Sequence, residues 1–521
     1  MRRVDNLERL PAYCDLIVIG GGATGLGIAV DAASRGYSTV LLEARDFAQG
    51  TSSASTNLIH GGVRYLQQGN IGLVRSALRE RGILAHNAPH IVSELRLLVP
   101  VYYWWEKPYY GLGLGLYDLF AGSRRFGPTR LLDAQTAVKL VPELRVQGLR
   151  GGVVFSDGQF NDARLALCLA KTAHRLGAVL LNYAPVTALL KERGRVCGVV
   201  FTDRESGEQK EVQARVVINA AGVFIDSIRR LDDPGATDLL VASRGVHLVL
   251  PPSFLSGQTG ILVPRTKDGR VCFILPWEGR VLVGTTDTPV TDPTREPSAS
   301  EEEIDFLLEC ASDYLGTPPS RAHVLSLFSG LRPLVKGSTE KTSALSRDHT
   351  IVVSRTGLVT VAGGKWTTYR HMAQAAVDKA AGLAELPPRR CITETLRLEG
   401  AENAASRWAR FCVSEDVADE YERRYPGLLH PALPHTLGMV AYVIEHELPV
   451  TVEDVLSRRL RALRLDARAS LEAAPVVASL MAELLGKDQE WIDEQLGQYE
   501  RIAREALPGG FPAHQHARRS A

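Results

Sequence analysis

The stretch LIHGGVRYL (Leu58–Leu66) sets an imidazole, two glycines, a guanidinium and a phenol within nine positions. It follows GTSSASTN, a Ser/Thr-rich run with neither the helical nor the strand period. Glycine lets a ligand approach the backbone, and a guanidinium fork donates two hydrogen bonds to neighbouring oxygens of an anion. Four cations share such turn-like settings: Arg64 in GGVRY, Arg332 in SGLRPL, Arg347 in SRDH and Lys365 in GGKW. Taken singly, each reads equally well as a surface ion-pair partner, and Arg347 beside Asp348 suits a structural pair. Two histidines, His60 in the first stretch and His247 in RGVHLVL, are able to take a proton near neutral pH, since imidazole titrates at about 6.5. His247 reads as readily as a strand histidine satisfied by the backbone.

Such groups need a scaffold, and DLIVIGGGATGLGIAVDAASRGYSTVLLEA (Asp15–Ala44) supplies the clearest piece of it. Leu16–Ile19 predict a buried strand, and Gly20-x-Gly22-x-x-Gly25 follows at once. Small residues at Ala29, Val30, Ala32 and Ala33 suit a helix packed tightly on a sheet, Gly36 ends it, and Thr39–Glu43 predict a second strand. In this context Gly20 permits the tight turn and Gly22 admits a pyrophosphate to the backbone, while Gly25 lets helix and strand close up. Glu43, 18 residues past Gly25, is placed to accept from ribose hydroxyls and disfavours a 2′-phosphate. The bland alternative is a glycine-rich turn of some other α/β protein.

The same alternation returns downstream. Asn161–Phe201 predict helix, strand and hairpin, and RVVINAAGVFIDSI (Arg215–Ile228) predicts a strand, an Ala220-Ala221-Gly222 turn and a helix. LVTVAGGKWTTYRHMAQAAVDKA (Leu358–Ala380) repeats strand, glycine turn and helix. Between them lie the short β-like runs GVHLVL, GILVP, VCFILPW and RVLVGTTD, interrupted by an amphipathic helix over Ser298–Leu315 with a Ser300/Glu303 capping box. Past PPRR (Pro387–Arg390) strands disappear; Val452, Val455, Leu456, Leu460 and Leu463 recur at helical spacing, and HQHARRSA reads as a disordered tail.

A chain of 521 residues exceeds one ordinary core, so two or three domains are expected. A formal charge of +1 gives no global reason for nucleic acid binding. Seven scattered cysteines, none spaced as C-x-x-C, argue against a disulfide framework and a zinc or iron–sulfur site, and for a reducing compartment. No signal peptide and no membrane-spanning run are read, the nearest apolar stretch (Leu95–Phe120) being broken by Glu106 and Lys107. That stretch carries Tyr102, Tyr103, Trp104, Trp105, Tyr109 and Tyr110, which suit either a bilayer boundary or a domain-interface core.

The order DLIVIGGGATG, SSASTNLIHGGVRYL, RGVHLVL, GTTDT, SGLRPL, SRDH and GGKWTTYR resembles the FAD-dependent glycerol-3-phosphate dehydrogenases, the membrane-associated respiratory enzymes that feed electrons to quinone. The resemblance runs from about Asp15 to Arg370, and ELPVTVEDVLSRRLR resembles that family's C-terminal domain. It implies an α/β fold: a doubly wound FAD-binding domain, an inserted antiparallel-sheet substrate domain and an α-helical C-terminal domain. FAD parts are expected at roughly 12–90, 150–230 and 350–385, substrate parts at 91–149 and 231–349, and the helical domain at 386–521.

The resemblance further implies oxidation of glycerol 3-phosphate with electrons passed to quinone, at the inner, cytoplasmic face of the cell membrane without spanning it; a homodimer is compatible with it. Arg64, Tyr65, Arg332, Arg347, Lys365 and Thr368 would bind substrate. His60, His247 and Lys365 are the candidate bases, left open among themselves, with Arg332 and Lys365 stabilising the charge that develops. Gly20, Gly22, Gly25, Glu43, Ser52, Ser53, Thr56, Val186, Ala221, Gly222, Gly364, Lys365 and Thr367 would hold FAD, tight packing being nearly as good a reading for Ser53 and Thr56. No metal is expected. The rival functions are an oxidase passing electrons to oxygen, an amine or hydroxy-acid oxidase of the wider fold, and a flavin-bearing protein without turnover.

Overall fold

The computed structural model describes residues 1–62, 70–266, 269–293, 297–336 and 349–509. Arg64, Tyr65, Arg347 and the HQHARRSA tail, for which the sequence raises expectations, lie outside these described residues.

The first sheet has eight strands, numbered here in chain order with those of the second: β1 (Tyr13–Ile19), β2 (Thr39–Leu42), β7 (Val179–Leu181), β8 (Val186–Glu192), β9 (Arg195–Thr202), β10 (Gln209–Asn219), β17 (His349–Val353) and β18 (Val359–Gly363). Its path runs β17-β18-β10-β1-β2-β7, parallel from β18 to β7, with β17 antiparallel at one edge and the β8–β9 hairpin joined to β10. The two-residue period of β1 divides its side chains between two cores. Leu16 and Val18 pack with the helices Ala23–Ser34, Asp162–Arg175 and Tyr369–Leu383 on one face. Ile17 and Ile19 pack with Val199 and Phe201 of the hairpin on the other. Being covered on both faces, the parallel strands carry apolar runs rather than alternation, which is what made them readable. Gly27 lets the first helix close on the last: a Cβ there would lie 2.8 Å from the Tyr369 ring.

The second sheet has ten strands: β3 (Leu58–Ile59), β4 (Val92–Val101), β5 (Arg130–Leu132), β6 (Gly151–Phe160), β11 (Leu240–Leu250), β12 (Thr259–Val263), β13 (Cys272–Trp277), β14 (Arg280–Gly284), β15 (Thr288–Val290) and β16 (Ser326–Val335). Apart from the parallel pair β12–β4 its ladders are antiparallel. β3 and β6 belong to this sheet although they fall in stretches expected for the nucleotide part; they pair with each other and, through β6, with β4. Helix Glu301–Tyr314 opens with the expected capping box, Glu303 N donating to Ser300 Oγ at 3.3 Å and Ser300 N to Glu303 Oε2 at 3.1 Å.

After β18 the described residues form no further strand, and the longest helices are Ala467–Leu485 and Gln489–Glu505. Their core is continuous with the second sheet: Leu275, Trp277 and Phe328 share one apolar cluster with Val455, Leu456 and Leu460. The segment TVEDVLSRRLRALRL is not the regular amphipathic helix its spacing suggests. Asp454–Arg459 is a π-helical turn, Arg461 is left-handed (φ 66°), and a short helix Ala462–Leu465 follows. The reason lies in its arginines, which point inward. Arg458 Nε and Arg459 Nη2 donate to buried Asp46 at 2.5 and 2.8 Å, and Arg461 Nη1 donates to the Ser53 carbonyl at 2.7 Å. Satisfying three cations within four residues around fixed acceptors overrides the α-helical period.

Among the described residues no helix is long and apolar enough to cross a membrane. The stretch Leu95–Phe120 splits into β4 and the helix Glu106–Ala121. That helix and its approach expose Tyr103, Trp104 (77%), Trp105, Tyr109, Leu112 (71%), Leu116 and Leu119 (71%).

Candidate functional site

A cavity of about 510 Å³ opens where the carboxyl ends of β1, β2 and β10 meet the face of β11 and β16. In open parallel sheets this crevice is where ligands sit, because helix N-termini and backbone amides converge there. Gly20 leaves β1 at φ 112°, and a Cβ on it would lie 2.5 Å from the Ala220 carbonyl. Gly22 caps the helix Ala23–Ser34 and borders the cavity; a Cβ on Gly25 would lie 1.8 Å from the Gly20 carbonyl, so Gly25 serves helix-to-turn packing and is not on the cavity wall.

Glu43 ends the second strand as expected, yet it first holds the turn itself. Its Oε2 accepts from Gly21 N at 2.6 Å and its Oε1 from Arg45 N at 2.9 Å. Burial pushes its pKa up against the pull of those two N–H groups. Each oxygen keeps a second lone pair for a hydroxyl in the cavity, which Glu43 lines.

The Ser/Thr run divides its tasks. Ser52 Oγ accepts from Ala23 N at 2.9 Å, capping the helix from outside while its own hydroxyl proton stays available. Ser53 is buried and off the wall, acting through its carbonyl toward Arg461. Thr56 Oγ1 lies 2.9 Å from His247 Nε2. Val186, Ala221 and Gly222 reach the wall, the last two opening the short turn Gly222–Phe224.

From the other sheet, β11 and β16 pair antiparallel and set His247 opposite Phe328 and Ser243 opposite Arg332. His247 is buried and stacked on the Phe328 ring, centroids 4.9 Å apart. Burial first, then the charges of Arg332 and Arg464, push its pKa down to about 3, so it stands neutral. It is held by a threonine hydroxyl rather than by the backbone.

Arg332 Nη2 donates to Thr285 Oγ1 at 2.9 Å, and Nη1 lies 3.5 Å from Asp287. His60 lies on the wall just after β3, its carbonyl accepting from Thr367 Oγ1 at 3.4 Å. Lys365 precedes the 3₁₀ turn Trp366–Thr368 at the start of helix Tyr369–Leu383 and also lines the cavity, with Gly364 (φ 96°) beside it. Thr368, like Gly25 and Ser53, is absent from the wall, its hydroxyl donating to the Lys365 carbonyl at 3.4 Å.

Three strand glycines that the sequence reading passed over shape this half. A Cβ on Gly245 would lie 2.3 Å from Arg332 Nη2, one on Gly284 2.2 Å from His247 Cδ2, and one on Gly330 2.6 Å from the Ala54 carbonyl. Their signal was present in RGVHLVL, VLVGTTD and SGLRPL, since a glycine inside a strand pattern marks a close approach. Trp366, also passed over, donates from Nε1 to the Ser52 carbonyl at 3.0 Å and ties the two glycine-rich turns together.

A glycine turn, a terminal acid on the neighbouring strand and a cation-bearing antiparallel sheet across one crevice define a dinucleotide-dependent oxidoreductase. The family model described as FAD dependent oxidoreductase matches residues 15–370, and the C-terminal domain of alpha-glycerophosphate oxidase matches residues 417–492. The mitochondrial glycerol-3-phosphate dehydrogenase of Mus musculus is 40% identical, covering 93% of this chain and 72% of its own. The mitochondrial enzyme of Arabidopsis thaliana is 39% identical, covering 95% and 86%. The structure of glycerol-3-phosphate dehydrogenase from Bacillus halodurans complexed with FAD superposes with a TM-score of 0.80 at 29% identity, covering 98% of this chain and 99% of that one. The chain belongs to the FAD-dependent oxidoreductase family, among the glycerol-3-phosphate dehydrogenases. The residues present fit FAD: the Gly20–Gly22 turn has no Cβ to block a pyrophosphate, and the acid that disfavours a 2′-phosphate lies beside it.

Proposed function

We propose that this protein oxidises the C2 hydroxyl of glycerol 3-phosphate to the ketone of dihydroxyacetone phosphate and passes the electrons to a membrane quinone. The observation that carries the reading is the convergence of Arg332, Lys365 and His60 on the cavity wall that faces the glycine turn. When bound, FAD supplies the acceptor for the C2 hydride at its N5. Arg332, braced by Thr285 and Asp287, offers its fork to the phosphate dianion. Arg64, Tyr65 and Arg347 join it on the strength of the family order. Lys365 adds positive charge where the site gains negative charge during turnover.

His60 takes the hydroxyl proton. His247 is a poor base here, because a group that protonates only near pH 3 has little drive to accept a proton at neutral pH. It positions instead: neutral, stacked on Phe328 and held by Thr56, it fixes the wall beside Arg332. Thr368 supports Lys365 from below through the carbonyl of that residue. Gly20, Gly22, Glu43, Ser52, Val186, Ala221, Gly222, Gly364 and Thr367 bound the FAD side of the cavity, and Thr56, on the wall as well, holds His247.

The exposed aromatic and leucine face around Trp104–Leu119 is the proposed contact with the membrane, lying on the bilayer rather than crossing it. Anaerobic mixing with glycerol 3-phosphate tests the activity: the flavin band bleaches, and an unbleached band refutes it. Peroxide formed in step with substrate in air would instead favour the oxidase. Replacing Leu112 and Leu119 by Glu removes two leucine anchors of about 1.5–3 kcal/mol each. Vesicle affinity in co-sedimentation then falls by about 100-fold or more, at about 1.4 kcal/mol per decade, while bleaching persists; undiminished co-sedimentation refutes the membrane face.

A further inference from the structure

The seven cysteines are scattered in sequence, but the fold brings two of them against a histidine. Cys168, in the helix Asp162–Arg175, and Cys412, closing the turn Ala409–Phe411, both turn their sulfurs to His90, which precedes β4. His90 Nε2 lies 3.5 Å from Cys168 Sγ and 3.8 Å from Cys412 Sγ, and all three atoms fall within 4.8 Å of one another. A tetrahedral ion with metal–sulfur and metal–nitrogen bonds of about 2.3 and 2.0 Å sets its N···S edges at about 3.5 Å and its S···S edge at about 3.8 Å. The unfilled triad has N···S distances of 3.5 and 3.8 Å, at or just above the first of these edges, and its S···S separation falls within the same 4.8 Å.

We infer that His90, Cys168 and Cys412 form a binding site for a soft closed-shell metal ion, Zn(II) or Cu(I). Soft thiolates with one imidazole select this class over Mg(II), Ca(II) or Mn(II). Arg164 and Lys171 are each 2.7 Å from Glu447, so two cations share one carboxylate and leave a unit of positive charge near the sulfurs, while Cys168 Sγ, now 3.1 Å from the Glu399 carbonyl, would exchange that contact for the ion. Both cysteines are buried, whereas His90 is half-buried and borders a second cavity of about 260 Å³ that is distinct from the FAD crevice. That cavity is the entry path, and it has room for the water that would complete a four-coordinate Zn(II). None of the three residues lines the FAD cavity, so the site is structural: it pins helix Asp162–Arg175 to the start of the C-terminal region.

The test uses the full-length flavoprotein, reduced, stripped with a chelator and desalted anaerobically. Zn(II) and Cu(I), the latter in competition with a chromophoric chelator, are titrated separately. One equivalent of either ion is retained by the wild type and lost in Cys168→Ser, Cys412→Ser and His90→Gln, each of which keeps its flavin spectrum. X-ray absorption of the loaded wild type gives a shell with two sulfurs, a readout that needs no variant to fold. Retention of neither ion, equal retention by the variants, or a nitrogen–oxygen shell overturns the inference. So does a Cys168–Cys412 disulfide in untreated protein whose reduced form takes no metal, which would mark the pair as a redox couple.

Discussion

Gly245→Ala is the most informative single change, because the structure says which atom gives way. The added methyl would lie 2.3 Å from Arg332 Nη2, 2.7 Å from its Cζ and 2.6 Å from Thr285 Oγ1. None of these is backbone. The clash is relieved by swinging the far end of Arg332 out of its seat, so the β11–β16 ladder survives and the guanidinium loses its aim. A hydrogen bond to a charged group contributes about 1.5–3 kcal/mol, and each 1.36 kcal/mol is tenfold in rate, so kcat/KM falls about 10- to 150-fold. Steady-state assays with an artificial electron acceptor measure this, with flavin content and thermal unfolding as controls for folding. The effect must act through the arginine: Arg332→Leu combined with Gly245→Ala is then no worse than Arg332→Leu alone. A Gly245→Ala enzyme with kcat/KM within twofold of wild type, or a double variant whose losses multiply, refutes the placement of Arg332 as the phosphate clamp.

Two further changes report on the scaffold. His247 protonates near pH 3 in the folded chain against about 6.5 when unfolded, so the unfolded state takes its proton first as pH falls; the stability due to the neutral ring is complete above about pH 6.5 and drains away below it. The loss reaches about 2 kcal/mol by pH 5, and urea unfolding of His247→Asn shows a correspondingly flatter pH profile, His435, pushed down likewise to about 3, keeping its own slope. A variant profile parallel to the wild type refutes the burial of a neutral imidazole. Asp46→Asn leaves Arg458 and Arg459 buried against a neutral amide and costs about 3–5 kcal/mol in urea unfolding; a change under about 1 kcal/mol would show that the two cations find other acceptors.

The first sheet was legible because both of its faces are covered: runs such as Leu16–Ile19 carry hydrophobicity on every residue, and this one ends in glycine where the chain must turn at the 112° φ of Gly20. Gly364 and Lys365 were found by the same signature. The second half of the site was legible only through its cations and His247. That Gly245, Gly284 and Gly330 carve space for side chains of neighbouring strands depends on register, which no local pattern encodes. The arginines of SRRLR looked like a solvated helix face because their partners, Asp46 and the Ser53 carbonyl, are some four hundred residues away. For the same reason cysteine spacing argued against a metal site, although Cys168 and Cys412 converge on His90.

The apolar cluster that joins Trp277 and Phe328 to Val455 and Leu456 makes the helical C-terminal part of the molecule inseparable from the rest. A chain terminated near residue 386 would not be a smaller flavoprotein but a sticky one, with the underside of its antiparallel sheet bare to water and prone to self-association. Evolution or engineering can lengthen this tail or decorate it, but cannot discard it without finding another cover for those rings.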